Sequence, residues 1–161
     1  DCLVAIGAPD GASMTYIQVC QGSGPLVLRL TVGSRVAIGT SAVGRAYLAA
    51  LSPKEREPYY EAIRAQNPDA WPDIQRGLER AFKEYEQHGF VTSDGEWNRD
   101  VSAVGVPLIL DNGGQVVPFN CGGSSLRLSR RILVANLGPR PQDVVEQVRP
   151  MVQGRDIQKR Q

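Results

Sequence analysis

A chain of 161 residues carries 18 Lys plus Arg against 17 Asp plus Glu, a length that suits one domain with one hydrophobic core and a charge that no stretch concentrates. That balance argues against a nucleic-acid footprint, which needs a basic face or stripe to neutralise phosphates. Cys2, Cys20 and Cys121 stand far apart with no CxxC or Cys/His spacing, so neither zinc nor a disulfide framework is expected, a reducing cytoplasm fits best, and no apolar run approaches the roughly 20 residues that span a bilayer.

The chain opens on Asp1 rather than Met and enters an apolar segment at once, which reads as a fragment of something longer. Cys2–Ala8, Met14–Gln21 and Leu26–Thr31 are rich in apolar and β-branched residues and are separated by Pro9-Asp10-Gly11 and by Gln21 to Pro25. They predict an antiparallel meander. Val43, Ala46, Tyr47, Ala50 and Leu51 then fall at helical spacing behind a Thr40-Ser41 cap. Ser52-Pro53-Lys54-Glu55 has the form of a capping box with proline at the first helical position, and Pro58 is expected to bend or restart that helix. A third helix follows Pro72, its buried stripe marked by Ile74, Leu78, Ala81, Phe82 and Tyr85 and its end by Gly89.

Strands return at Phe90–Ser93, Ser102–Leu110 and Gln115–Cys121, the last two joined by the hairpin signal Asp111-Asn112-Gly113-Gly114. Pro107 predicts an edge or a bulge in its strand. Gly138-Pro139 breaks one helix, and Val144, Val145, Val148, Met151 and Val152 define another. Strands, helices, strands and helix in that order give an α+β class with an antiparallel sheet.

The segment Gly33-Ser34-Arg35-Val36-Ala37-Ile38-Gly39-Thr40-Ser41-Ala42-Val43-Gly44-Arg45-Ala46-Tyr47-Leu48-Ala49 resembles a passage of the effector domains of IclR-type transcriptional regulators. Gly89-Phe90, the acidic pair Asp94 and Glu96, Val101 to Leu108, Gly114 to Val117 and Asn120-Cys121-Gly122-Gly123 are similar to that family's later motifs, in order and spacing. The resemblance implies a GAF-like fold, a central antiparallel sheet flanked by helices, spanning 1–161 as one effector-binding domain. It also implies an N-terminal winged helix-turn-helix and linker helix that are absent before Cys2. DNA would then be bound only through that missing domain, with no membrane partner and with association as a homodimer or homotetramer. The partner expected of this domain is a small organic acid, with no cofactor, no metal and no catalysis.

In such domains the ligand lies between the sheet and the helix after Gly-Ser-Arg. Here that helix opens at Thr40 to Gly44, where free backbone N–H groups and the positive dipole end suit a carboxylate. Gly44 is expected to keep the first turn open. An ordinary N-cap with close helix–sheet packing explains the same residues without a ligand. By position in the motifs, the ligand-binding residues fall on Leu28, Val36, Ala42, Val43, Ser93, Val101, Ala103, Asn120 and Gly122. Ala103 and Gly122 stand where cysteine and serine occur in relatives, and Ser93 where many have an acid. Asn120 is left as the clearest polar handle, which favours an aromatic or otherwise less polar acid.

Other features have competing readings. His88, the sole histidine, suits a helix C-terminus better than a triad. Cys121 reads as a small buried hydrophobe rather than a nucleophile. Asp94 and Glu96 offer paired carboxylates, yet Gly95 between them favours a solvated turn or a loop gating the pocket. Gly22-Ser23-Gly24 lacks the helix a phosphate loop requires and is a hairpin turn. Trp71, Trp97 and Tyr59-Tyr60 suit core or interface packing, with Trp97 close enough to the acidic turn to report on a pocket. Two functions compete with a regulator's sensor: an enzyme acting on small acids, and a GAF-like ligand- or nucleotide-binding module of a signalling protein.

Overall fold

The computed structural model describes residues 2–23, 29–110 and 114–153. Strand β1 (Leu3–Asp10) turns at Gly11 into β2 (Ser13–Gln21), and a short β3 (Arg35–Ala37) pairs with β2. Three helices follow, α1 (Ala42–Ala49), α2 (Pro53–Gln66) and α3 (Trp71–His88). Then come β4 (Val91–Asp94), β5 (Val101–Ile109) and β6 (Val116–Ser124), with α4 (Arg130–Ile132), a π-helical turn (Leu133–Leu137) and α5 (Pro139–Gln153) closing the fold. The strands form one antiparallel sheet in the order β3-β2-β1-β6-β5-β4, an α+β, GAF-like arrangement.

The expected third strand, Leu26–Thr31, falls in part outside the described residues. Leu26 to Leu28, like Leu28 as a site residue, lies outside the described residues, and residues 29–31 form no strand. Arg35–Ala37 takes that place, with Val36 opposite Met14 and buried between two exposed neighbours. Three residues are too few to show a period of two.

Local signals for the helices hold well. Ser52 accepts a hydrogen bond from the Glu55 amide while Glu55 Oε2 accepts one from the Ser52 amide at 2.8 Å, a complete capping box. Of the two expected effects of Pro58, a restart does not occur: α2 runs through it. Proline costs a helix its bond to the carbonyl four residues back. That carbonyl belongs to Lys54, which is exposed and can bond to water. Gly89, at φ 78°, ends α3 in the left-handed region.

Helices α1 to α3 pack on one sheet face around Met14, Ile38, Val43, Leu48 and Leu78. The π-helical turn and α5 cover the other face of β5 and β6, where Val104, Val106 and Leu108 meet Leu133, Leu137 and Val145. Covered on both sides, β5 is buried almost throughout, which is why its sequence does not alternate. Strand β1 alternates because its second face is largely open. Pro107 lies past the four residues of β5 that pair with β4, so β5 is a local edge there, and it faces Pro118 of β6. Val144, Met151 and Val152 are exposed, leaving Val145 as the buried anchor of α5. No helix among the described residues is long and apolar enough to cross a membrane.

Candidate functional site

Sheet register assembles the site. Ser93 stands opposite Ala103, Ala103 opposite Gly122, and Gly122 opposite Leu3, so four strands contribute one row to one face. The period of two adds Val101 and Asn120 to that face. Helix α1 lies over it with its N-terminus at Ala42, closely enough that a Cβ on Gly105 would meet the Ala42 carbonyl. Ala42, Ser93, Val101, Ala103, Asn120 and Gly122 thus line one small cavity, together with Leu3, Tyr16, Leu30, Ser41 and Trp97. Its volume, about 20 Å³, holds one water.

The polar chemistry of this cavity centres on Asn120, 5% exposed. Its Nδ2 donates to the Tyr16 hydroxyl at 2.9 Å, and its Oδ1 has no hydrogen-bond partner among the described residues. A buried unpaired carbonyl costs about 1–3 kcal/mol. Burial pushes the Tyr16 hydroxyl up to about 12, and the bond to Asn120 only partly counters it. The phenol is therefore neutral and can donate or accept. Ser93 is already engaged, its hydroxyl donating to the Thr40 carbonyl at 2.7 Å. At the helix start, Ser41 Oγ accepts from the Gly44 amide at 3.2 Å and donates to the Ala37 carbonyl at 2.6 Å. Arg45 N–H opens the helical ladder onto the Ser41 carbonyl, so Ala42 and Val43 supply the first-turn amides that the cap does not use.

Two expected residues stand elsewhere. Val43 packs in the core with Met14 and Ile38, one position round the helix from the cavity wall. Val36 lines a separate hollow of about 680 Å³ between β3, the end of α2 and the start of α3. Gly44 does not open the first turn to a ligand: a Cβ there would lie 2.5 Å from Ile38 Cα, so glycine admits close packing of α1 on the preceding turn. Among the described residues the larger hollow contains none of the other expected site residues, and the Asn120 oxygen belongs to the small cavity.

Arg45, 2% exposed, lines the larger hollow. Its Nη1 and Nη2 donate to Glu96 Oε1 and Oε2 at 2.9 and 2.6 Å, its Nη1 also to the Thr92 carbonyl at 3.0 Å, and its Nε to the Gly39 carbonyl at 3.2 Å. Glu96 accepts a further bond from Arg80 at 3.2 Å. Burial alone would raise the Glu96 carboxyl, but the two guanidinium groups outweigh it and hold it below the ordinary range. Asp94 turns away and accepts from the Ser102 hydroxyl at 2.7 Å, so the two carboxylates form no pair. Arg45 had a sequence signal, a lone charge on the apolar side of its helix three residues from Ala42 and four from Ala49. Tyr16 had a weaker one, its inward phase with Met14.

The nucleophile and base candidates are engaged structurally. His88 stacks on Phe90 with ring centroids 5.3 Å apart. Burial, with Cys2 nearby, pushes the Cys121 thiol up to about 12, away from thiolate chemistry. Among the described residues no group of three or more His, Cys, Asp or Glu gathers as a metal site.

A curled antiparallel sheet, a helix N-terminus over its face and a buried polar cavity beneath define the class of GAF-like effector domains. Residues 1–149 match the family model of the bacterial transcriptional regulator IclR C-terminal domain, and the chain belongs to that family, one of transcriptional regulators. It is 42% identical to an IclR family transcriptional regulator from Brucella abortus, with a TM-score of 0.86 over 94% of this chain and 57% of that one. It is 27% identical over 90% of its length to the HTH-type transcriptional regulator TsaQ1/TsaQ2 of Comamonas testosteroni, of which it covers 53%. The inducer-binding domain of the PobR transcription factor from Acinetobacter, a double mutant in complex with 3-hydroxybenzoic acid, shares the fold at a TM-score of 0.73 and 17% identity, over 92% of this chain and 88% of that one. The chain thus spans about half the length of the regulator from Comamonas and somewhat more of that from Brucella.

Proposed function

We propose that residues 1–161 form the effector-binding domain of an IclR-type regulator and that its ligand is an organic acid, aromatic carboxylates foremost, held in the small cavity. The observation that carries this reading is the Asn120 carbonyl, buried and without a partner among the described residues, beside the helix start at Ala42. The carboxylate would accept from the Ala42 and Val43 amides at the positive end of α1. Rotation of the Asn120 amide lets Tyr16 donate to Oδ1 and frees Nδ2 for the ligand. Unrotated, Oδ1 accepts a phenolic hydroxyl. Ala103, Gly122 and Val101 give the ring an apolar bed with few competing polar groups. Leu28, Val36 and Val43 belong to this reading through their position in the family motifs alone.

The small cavity as it stands has room for about one water, so on this reading the acid binds a form in which the Leu30 or Trp97 wall has moved outward. Differential affinity for that form is what a sensor passes on to its assembly, a homodimer or homotetramer on this reading. DNA contact belongs to a part of the regulator beyond these residues, the setting is the bacterial cytoplasm, and the domain performs no turnover.

Calorimetric titration against benzoate, 3-hydroxybenzoate, pyruvate and glyoxylate tests the proposal, with Trp97 fluorescence followed in a Trp71→Phe background. Saturable binding of the aromatic acids with a Trp97 response is expected. Binding of the aliphatic acids only would overturn the aromatic preference, and binding of none the ligand class. Light scattering reads the assembly.

A further inference from the structure

The hollow of about 680 Å³ between β3, α2 and α3 is within the size range of small-molecule pockets, and the small cavity does not need it. Its floor is apolar, with Val36, Ile63 and Ile74, and its walls carry Arg35, Arg45, Arg76 and Arg80 against Asp73 and Glu96, with Asp10 paired to Arg35 from outside the lining, so that one positive charge stays unmatched. We propose that this hollow is a second ligand site, for a small organic polyanion bearing two or more carboxylate or phosphate groups.

Three of the four guanidinium groups are available for exchange. Arg35 pairs with Asp10 at 2.9 Å, Arg76 with Asp73, and Arg80 with Glu96 at 3.2 Å, and the arginine side chains in these pairs are 58%, 63% and 61% exposed. Ion pairs at that exposure contribute little and are readily replaced. Glu96 is one carboxylate shared between Arg45 and Arg80, which leaves an unmatched positive charge in the wall. Planar guanidinium forks suit carboxylate and phosphate oxygens bidentately. Asp73 and Glu96 set the selectivity: a monoanion gains little against them, whereas a polyanion engages Arg35, Arg76 and Arg80 together. The start of α3, at Ala70, lines the same hollow without a side-chain cap and adds its dipole to that field.

Citrate and inorganic pyrophosphate serve as probes against acetate, by calorimetry at low salt on the 161-residue domain. Arg76→Gln/Arg80→Gln removes exposed charges without touching the core. Ala70→Trp fills the hollow from an exposed position and leaves every charge in place. The expected result is saturable citrate or pyrophosphate binding at least tenfold tighter than acetate, and at least tenfold weaker in each variant. Citrate and pyrophosphate binding no tighter than acetate overturns the proposal. So does binding unchanged in Ala70→Trp, which would mean surface charge alone. Aromatic acid binding in the small cavity should survive Ala70→Trp, so failure here is distinguishable from failure of the effector reading.

Discussion

Arg45 and Glu96, 51 residues apart, meet fork to fork at 2.9 and 2.6 Å, and the arginine is the more deeply buried partner, with 3% of its side chain accessible against 29% for the carboxylate. The pair joins α1, which heads the small cavity, to the loop that carries Trp97 on the cavity wall. Removing one partner of a buried pair costs more than the pair itself contributes, because the other charge is left behind.

Arg45→Gln should therefore destabilise by about 3 kcal/mol, the low end for broken buried pairs because Glu96 keeps access to water. It also unties the Gly39 and Thr92 carbonyls. Urea unfolding measures the loss, and a cost within about 0.5 kcal/mol, usual for a surface change, would show the fork to be dispensable.

Acid should loosen the same contact. The Glu96 carboxyl is held below its ordinary value near 4.5 despite burial, because Arg45 and Arg80 favour its charged form. Its contribution is thus fully present above pH 4.5 and is lost as pH falls through the lower folded value. Unfolding midpoints between pH 7 and 3 should fall less steeply below pH 4.5 in Glu96→Gln than in the parent. Parallel curves would contradict this.

What the sequence discloses is local. The Ser52–Glu55 box and the Gly89 stop act within four residues and are as expected, whereas of the α3 stripe Leu78 and Ala81 are buried, Ile74, Phe82 and Tyr85 are half-buried, and Glu84 is buried without having been expected. Strand β3 has too few residues to show a period. Arg45 was visible as a charge on an apolar stripe, but its partner lies across a loop that no spacing rule connects. Tyr16 and Asn120 are 104 residues apart, and only sheet register brings them together. The row Ser93, Ala103 and Gly122 was reachable through family motifs; Val36 was carried along by the same motifs although its strand turns it to the neighbouring hollow.

Tyr16 and Asn120 should behave as one unit. Tyr16→Phe leaves both Asn120 amide groups unpaired in a buried place, a cost of about 1–3 kcal/mol. Asn120→Leu removes the unpaired carbonyl and should cost less. The double variant should be more stable than the sum of the two predicts, by about 1 kcal/mol. Additive effects in urea unfolding would show that the hydrogen bond carries no coupling. In titrations with 3-hydroxybenzoate, Asn120→Leu should lose at least tenfold in affinity while remaining folded.

Gly105 tests whether the seat of α1 on the sheet sets the cavity. A Cβ there would lie 2.8 Å from the Ala42 carbonyl carbon and 2.9 Å from Ala46 Cβ. The nearest atoms are backbone, so the helix must move rather than a side chain. Gly105→Ala should cost about 3 kcal/mol, as overpacking of a close contact does, and the shift displaces Ala42, the residue whose amide heads the site. Gly114, where an added Cβ would meet nothing within 4 Å among the described residues, is the control, and Gly114→Ala should stay within about 0.5 kcal/mol. Near-neutral stability in Gly105→Ala would mean that α1 is free to ride up on the sheet. Lost stability with full aromatic acid binding would instead separate the packing of α1 from recognition, and would place the acid away from the Ala42 amide.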